Sequence, residues 1–247
     1  MTRRTLTTTD GLELGAYCRF APATPRAAVV VVHGFSASAA CPNVEALADA
    51  LHADDLDVIT YDARGHGDSP GESTLGDFEQ HDVEAAVNLA RERTSRVILA
   101  GASMGAIAAL RYAVTDPTLS GVVTVSCPAA WHLPRNVRGV LAAAMTRTRV
   151  GRRATRRLCG VRIAAQWTNP SPPIELVPLL SVPTTYIHGT EDRFIAVRDA
   201  ARLWEATPEP RQLVVVRGMG HAFEPIALDA VRDAVEWTLA HELSSAS

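Results

Sequence analysis

A serine flanked by glycines, Gly101-Ala102-Ser103-Met104-Gly105, stands between the apolar run RVILA and the alanine-rich stretch AIAALRYA. A serine hydroxyl is a poor nucleophile at neutral pH. Chemistry at Ser103 therefore needs a base to take its proton and an acid to orient that base. On a sharp strand-to-helix turn the hydroxyl is held beyond the end of the strand, and small neighbours let the turn close. Eight histidines could supply the base. His52, His81 and His241 fall in helical patterns, His132 lies in a proline- and arginine-rich middle segment, and His33, His66 and His188 sit at strand ends or in loops near them. His221, in RGMGHAFEP, directly follows the last predicted strand and precedes the last helix, and serine, acid, histidine is the chain order of this type of site. It is the expected base. The acid must come between the two, and both Glu191 and Asp192 follow the strand-like TTYI within reach.

A sheet has to hold these groups. Short runs rich in Val and Ile, without polar alternation, recur at Ala27–His33, Leu56–Asp62, Arg96–Gly101, Gly121–Ser126, Thr184–Gly189 and Gln212–Gly218, as expected of parallel strands buried on both faces. Asp10-Gly11 between two β-prone runs predicts an antiparallel hairpin at the start. Helical patterns begin near Asn43, His81, Ser103 and Ala227. The alternation implies an α/β fold with a doubly wound, mostly parallel sheet. Residues 129–180 break it: they hold no strand-like run, and six of the chain's 15 prolines lie in or bound them. They read as a small helical cap inserted into a core made of residues 1–128 and 181–247.

The 247 residues are 47% hydrophobic and 21% charged, which suits a globular chain, and no stretch approaches the roughly 18 apolar residues of a transmembrane segment. No apolar run follows Arg3 and Arg4, so a secretory signal is not expected and the protein reads as cytoplasmic. The four cysteines show no metal-ligand or paired spacing and read as free thiols. All 24 basic residues are arginine. Nine of them, against the single acid Glu175, fall in residues 129–180, so a chain of net charge −3 carries +8 there and −11 elsewhere. Nucleic acid is not an expected partner, because no aromatic residues are interleaved with these arginines.

Five motifs in order, His33-Gly34-Phe35-Ser36, Tyr61-Asp62-Ala63-Arg64-Gly65-His66-Gly67-Asp68-Ser69, GASMG, HGTED and GMGHAFE, resemble those of the α/β-hydrolase superfamily with a serine nucleophile. The Asp62 to Ser69 form is similar to the monoglyceride-lipase-like, serine-aminopeptidase-like and acyl-esterase branches. The resemblance implies the α/β-hydrolase fold, a catalytic triad of Ser103, Asp192 and His221, and an oxyanion hole from the backbone N–H groups of Phe35 and Met104, with Ser36 a lesser alternative. It favours Asp192 over Glu191. It implies a serine hydrolase that cleaves small-molecule carboxylic esters through an acyl-enzyme, with no cofactor and no metal. Alternatives are an acyl thioesterase or amidase using the same triad, and a non-catalytic binding protein of the same fold. His33 and His66 are expected to be structural, Arg64 to tie its loop by an ion pair, and Gly65 and Gly67 to supply turn conformations.

Within 129–180, Val150, Ala154, Leu158 and Val161 share one helical face and Arg149, Arg152, Arg153 and Arg156 the other. The expectation is an apolar roof over the pocket with a solvated arginine face outside. That face could also dock an anionic carrier, coenzyme A or an acidic lipid surface. Trp131, Leu141, Met145 and Trp167 are the expected pocket residues.

Overall fold

The computed structural model describes residues 1–131, 143–166 and 168–242. Strands β1 (Thr2–Thr7) and β2 (Glu13–Arg19) pair antiparallel across the Asp10-Gly11 turn. Six further strands follow: β3 (Ala28–Val32), β4 (Asp57–Tyr61), β5 (Val97–Ala102), β6 (Gly121–Val125), β7 (Thr184–Gly189) and β8 (Arg211–Val216). They run parallel to one another, and β2 meets β4 antiparallel. The eight-stranded sheet has the order β1-β2-β4-β3-β5-β6-β7-β8. From β3 the chain first goes to β4 on one side and then crosses to β5 on the other. The carboxyl ends of β3 and β5 therefore flank a topological switch point, where such sheets open a crevice for ligands.

The helices with described bounds are α1 (Pro42–His52), α2 (Glu79–Arg91), α3 (Met104–Ala113), α4 (Arg149–Cys159), α5 (Pro173–Leu176), α6 (Val197–Ala206) and α7 (Leu228–Ala240), and residues 143–147 are also helical. Alternate side chains of one strand serve opposite faces of the sheet. Val30 and Val32 of β3 pack with Val83, Ala86, Ile107 and Leu203 of α2, α3 and α6, whereas Val29 and Val31 pack with Leu47, Leu51, Val231 and Val235 of α1 and α7. This is the doubly wound α/β arrangement expected. Helix α6 is an addition to it: Ala200 and Leu203 anchor it on the first face.

Residues 162–164, between β6 and β7, lie against the loop after β4. Ile163 pairs with Ser73 in an isolated parallel bridge. Around it the Arg162 N–H donates to Gly65 O at 2.8 Å, Ser73 N–H to Arg162 O at 2.7 Å and Ala164 N–H to Ser73 O at 2.9 Å. Gly65 has φ +75°, and a Cβ there would meet Arg162 O at 2.5 Å. Its glycine thus serves both the turn and the close approach of the second chain.

Helix α4 is capped by Thr148, which accepts from Gly151 N–H, and ends on Gly160 in the left-handed region. Its orientation corrects the expectation. Val150 and Leu158 are each 76% exposed, and Thr155 is the buried residue of the helix. Gly151 explains this: a Cβ there would collide with Ala144 O, and Thr155 Oγ1 donates to Met145 O at 3.2 Å. The helix rests on its smallest side chains because they permit the closest approach to the backbone beside it, which leaves the larger apolar residues outward. No described helix is long and apolar enough to cross a membrane, and the four cysteines are unpaired.

Candidate active site

Ser103 joins β5 to α3 with φ +52° and ψ −113°, a backbone conformation costing on the order of 1–3 kcal/mol that survives only where its surroundings enforce it. The enforcement is visible. Ser103 N–H donates to Val125 O at 2.9 Å, and Ser103 O accepts from Ala106 and Ile107. A Cβ on Gly101 would meet Gly105 O at 2.6 Å, and one on Gly105 would run into the carbonyls of Val32 and His33. Both motif glycines are therefore steric requirements of the turn. The Ser103 side chain lines a cleft and has no hydrogen-bond partner among the described residues.

Asp192 follows β7, and its side chain is fully buried. Its Oδ1 accepts from the backbone N–H groups of Phe194 at 2.8 Å and Ile195 at 2.9 Å, an aspartate turn that aims Oδ2 outward. Oδ2 lies 2.7 Å from His221 Nδ1. Burial alone would raise this carboxyl, but the His221 hydrogen bond, the two N–H donors and electrostatic attraction to His221 together hold it below the usual carboxylate value. Because an ionised carboxylate only accepts, His221 carries its proton on Nδ1 and leaves Nε2 as the basic nitrogen. Glu191, the alternative acid, is exposed. The structure thus brings Asp192 to His221 and places Asp192 and Ser103 on the same cleft.

The His221 loop is itself held. Glu224 accepts from the N–H groups of Gly220 at 2.8 Å and His221 at 3.1 Å, and Ala222 N–H donates to Ser126 Oγ at 3.1 Å. Sequence reasoning did not single out Glu224 or Ser126. A carboxylate three residues beyond a histidine and just before a proline is the signal that could have found Glu224.

The register Val32↔Gly101 sets the turn after β3 beside the Ser103 turn. Gly34 packs so closely that its Cβ would meet Ser103 Cβ at 3.4 Å. His33 Nε2 accepts from Ala63 N–H at 3.0 Å, so Nδ1 carries the proton and donates to Gly34 O at 2.8 Å. In a trans peptide the carbonyl and N–H point opposite ways. Fixing Gly34 O therefore also fixes the direction of Phe35 N–H. Neither Phe35 N–H nor Met104 N–H donates within the described backbone, as expected for Met104 in the first turn of a helix. Burial first, and then the His66 ring 5.0 Å away, lower His33 to about 3, so it stays neutral.

Arg64 binds Asp82 through Nε at 2.9 Å and Nη2 at 2.7 Å, and Asp10 through Nη1 at 2.7 Å, tying the loop after β4 to α2 and to the first hairpin. Asp62 accepts from Ala39 N–H at 2.8 Å, and a Cβ on Gly67 would strike its carboxylate. His66 and His188 are buried, bonded through one nitrogen each to Arg64 O and Ile195 O. Glu79, another residue that sequence reasoning passed over, accepts from Ser73 Oγ, Thr74 N–H, Thr74 Oγ1 and Gly76 N–H, which shapes the Ser73-Thr74-Leu75 wall of the cleft.

The cleft measures about 970 Å³. Trp131 lines it and donates through Nε1 to Pro170 O at 2.8 Å. Met145 is not among its lining residues, a correction that follows from its place beneath α4, and Leu141 and Trp167 lie outside the described residues. Arg147, Arg152, Arg193 and Arg198 do line it.

Residues 23–163, more than half of the chain, match the family described as serine aminopeptidase, S33. An uncharacterised protein of Bacillus subtilis, YqkD, is 26% identical over 183 residues, covering 67% of this chain and 55% of its own length. The chain thus spans about half of that relative. An uncharacterised Mycobacterium tuberculosis protein, Rv2307c, is 28% identical over 245 residues, covering 91% of this chain and 75% of its own. Among solved structures, the Pyrococcus furiosus esterase Pf2001 superposes with TM-score 0.76 at 20% identity, covering 96% of this chain and 90% of that one. The α/β hydrolase GrgF from Penicillium sp. sh18 gives 0.73 at 19%, with 98% of both chains covered. At these identities the structures speak to the fold.

Proposed function

Because the chain belongs to the serine aminopeptidase S33 family of α/β hydrolases, we propose that it hydrolyses small-molecule carboxylic esters through an acyl-enzyme on Ser103. The observation that carries this reading is the Asp192–His221 hydrogen bond, with Asp192 lining the same cleft as a serine on a strained turn. His221 Nε2 takes the Ser103 proton as Oγ bonds to the ester carbonyl carbon. The carbonyl oxygen becomes an alkoxide facing the N–H groups of Phe35 and Met104. The alkoxide collapses, the bond to the leaving alcohol breaks, and His221 gives that alcohol the proton. Water, deprotonated by His221, then releases the acid by the same path in reverse. In this reading residues 1–128 and 181–247 form the catalytic core, and 129–180 act as the cap over it. The unpaired thiols suit a reducing compartment such as the cytoplasm.

Ser103→Ala is the test. The wild type is expected to hydrolyse 4-nitrophenyl esters and to be labelled by a fluorophosphonate, and the variant is expected to lose both. Persistent labelling of the variant would place the nucleophile elsewhere, and an unlabelled wild type would favour a non-catalytic binding protein of the same fold.

A further inference from the structure

Most arginines of the catalytic half have an acid partner. Arg19, Arg26, Arg64, Arg91, Arg93, Arg96 and Arg232 each lie within 3.0 Å of a carboxylate oxygen. Among the described residues Arg147, Arg152, Arg193 and Arg198 form no ion pair; the exposed Arg4, Arg202 and Arg217 have none either, but the first four line one cleft, although they come from two separate parts of the chain. The two carboxylates in the same lining are already engaged, Asp192 by His221 and two backbone N–H groups, and Asp199 by the Ala129 N–H at 3.4 Å and a further partner. Arg152 is half-buried and held, since its Nη1 donates to Arg147 O at 3.0 Å, leaving its other N–H groups available. Arg193 adjoins the acid that orients His221, and Phe194 beside it lies 5.1 Å from the His221 ring.

Four guanidinium groups around one hollow repel one another and concentrate positive potential where a substrate must enter. An oxyanion relieves that repulsion, and guanidinium is the side chain whose planar N–H pair fits a carboxylate or phosphate with two hydrogen bonds. We propose that the cleft selects esters carrying a second, anionic group, a carboxylate or phosphoryl remote from the scissile bond, which Arg147, Arg152, Arg193 and Arg198 take up. This specificity rests on the esterase reading above. It also gives the basic character of residues 129–180 a different use from an outer docking face: Arg147 and Arg152 turn to the cleft, while Arg149, Arg153, Arg156 and Arg157 remain outside.

The test compares the 4-nitrophenyl monoester of suberate with the 4-nitrophenyl ester of octanoate, equal in carbon count and differing in the terminal charge, with an ω-phosphoryloxy octanoate as a third arm. At low salt, kcat/KM for one of the charged esters is expected to exceed that for octanoate by roughly tenfold or more. The better arm identifies the group. The advantage should shrink in about 0.5 M sodium chloride, and the charged-to-neutral ratio should fall by roughly tenfold in the double variant Arg147→Gln with Arg198→Gln. An octanoate ester turned over as well as both charged ones, or a ratio unmoved by the variant, overturns the proposal. Calorimetric titration of Ser103→Ala with suberate and with inorganic phosphate reads the site without turnover. Saturable binding that weakens in the arginine variant supports the anion site, and no binding up to millimolar ligand rejects it. If no ester is cleaved and no label attaches, the esterase reading fails while this titration still decides the site.

Discussion

The Asp192 carboxylate meets three donors, two from its own turn and one from His221, and this explains why an aspartate rather than the neighbouring glutamate reaches the histidine. A one-carbon stem lets Oδ1 close the turn onto Phe194 and Ile195 while Oδ2 faces the ring, whereas Glu191, one residue earlier, is exposed to solvent. In the proposed mechanism Asp192 only accepts, which keeps the His221 proton on Nδ1. An amide at 192 can donate instead and so move that proton to Nε2, where the base is needed. Asp192→Asn is therefore expected to lower kcat by roughly three to four orders of magnitude with little change in KM, and Glu191→Gln to leave both near wild type. Steady-state kinetics on one ester, with circular dichroism to check folding, separates the two residues. Equal losses in both variants would refute the assignment of the acid.

The loop after β4 shows how elements position a site they do not enter. Arg64 and Asp82 are a buried pair, with side chains 4% and 0% exposed, and their loop carries Gly65, on which Arg162 closes, and leads to the Ser73–Leu75 wall. Removing one partner leaves the other charge buried without a counterion, so Arg64→Ala should destabilise the fold by about 3–5 kcal/mol, and Arg64→Met with Asp82→Leu should recover much of that loss. Urea unfolding midpoints of the two variants measure it; a single variant as stable as wild type would show that the pair contributes nothing net. At this scale the central strands were legible because β3 to β7 are buried on both faces, so Val- and Ile-rich runs such as Ala28–Val32 cannot be mistaken for an amphipathic surface; β8, expected to be buried likewise, is half-buried because it forms the edge of the sheet. The order of Ser103, Asp192 and His221 was legible for a related reason, since each follows a strand and the strand ends share an edge. The facing of α4 was not legible. Its hydrophobic periodicity pointed Val150 and Leu158 inward, but a helix packed on bare backbone is oriented by its smallest residues, Gly151 and Thr155, and what lies beneath a helix is not written in its own period. Glu79 and Glu224 were missed because each acts on main-chain N–H groups of irregular loops, which leave no spacing pattern to read.

Across the whole molecule, burial of uncharged histidine beside the site couples the fold to pH. His33, 1% exposed, accepts from Ala63 N–H and sits against His66, whose burial likewise lowers it. With His33 lowered from 6.5 to about 3, the folded chain binds fewer protons at this ring than the unfolded chain between those values. Stability from the neutral ring is therefore complete above about pH 6.5 and is lost as pH falls toward 3, by about 2 kcal/mol on going from pH 7.5 to 5 for this one group. Asp10 adds to the same direction further down. Hydrogen bonds from Arg64 hold its carboxyl to about 2, against burial, which would raise it. Its contribution is present above the ordinary carboxylate value and disappears as pH drops through 2. The expected outcome is a urea unfolding free energy that falls steadily from pH 7.5 to 5, with the His33 ring resonances showing no titration over that range by NMR. Titration of His33 near 6.5, or an unfolding free energy flat across the interval, would mean that the ring is charged in the folded state. The Gly34 carbonyl, and with it the Phe35 N–H, would then be held by an imidazolium that can no longer accept from Ala63, and the turn proposed to stabilise the alkoxide would have to be held in some other way.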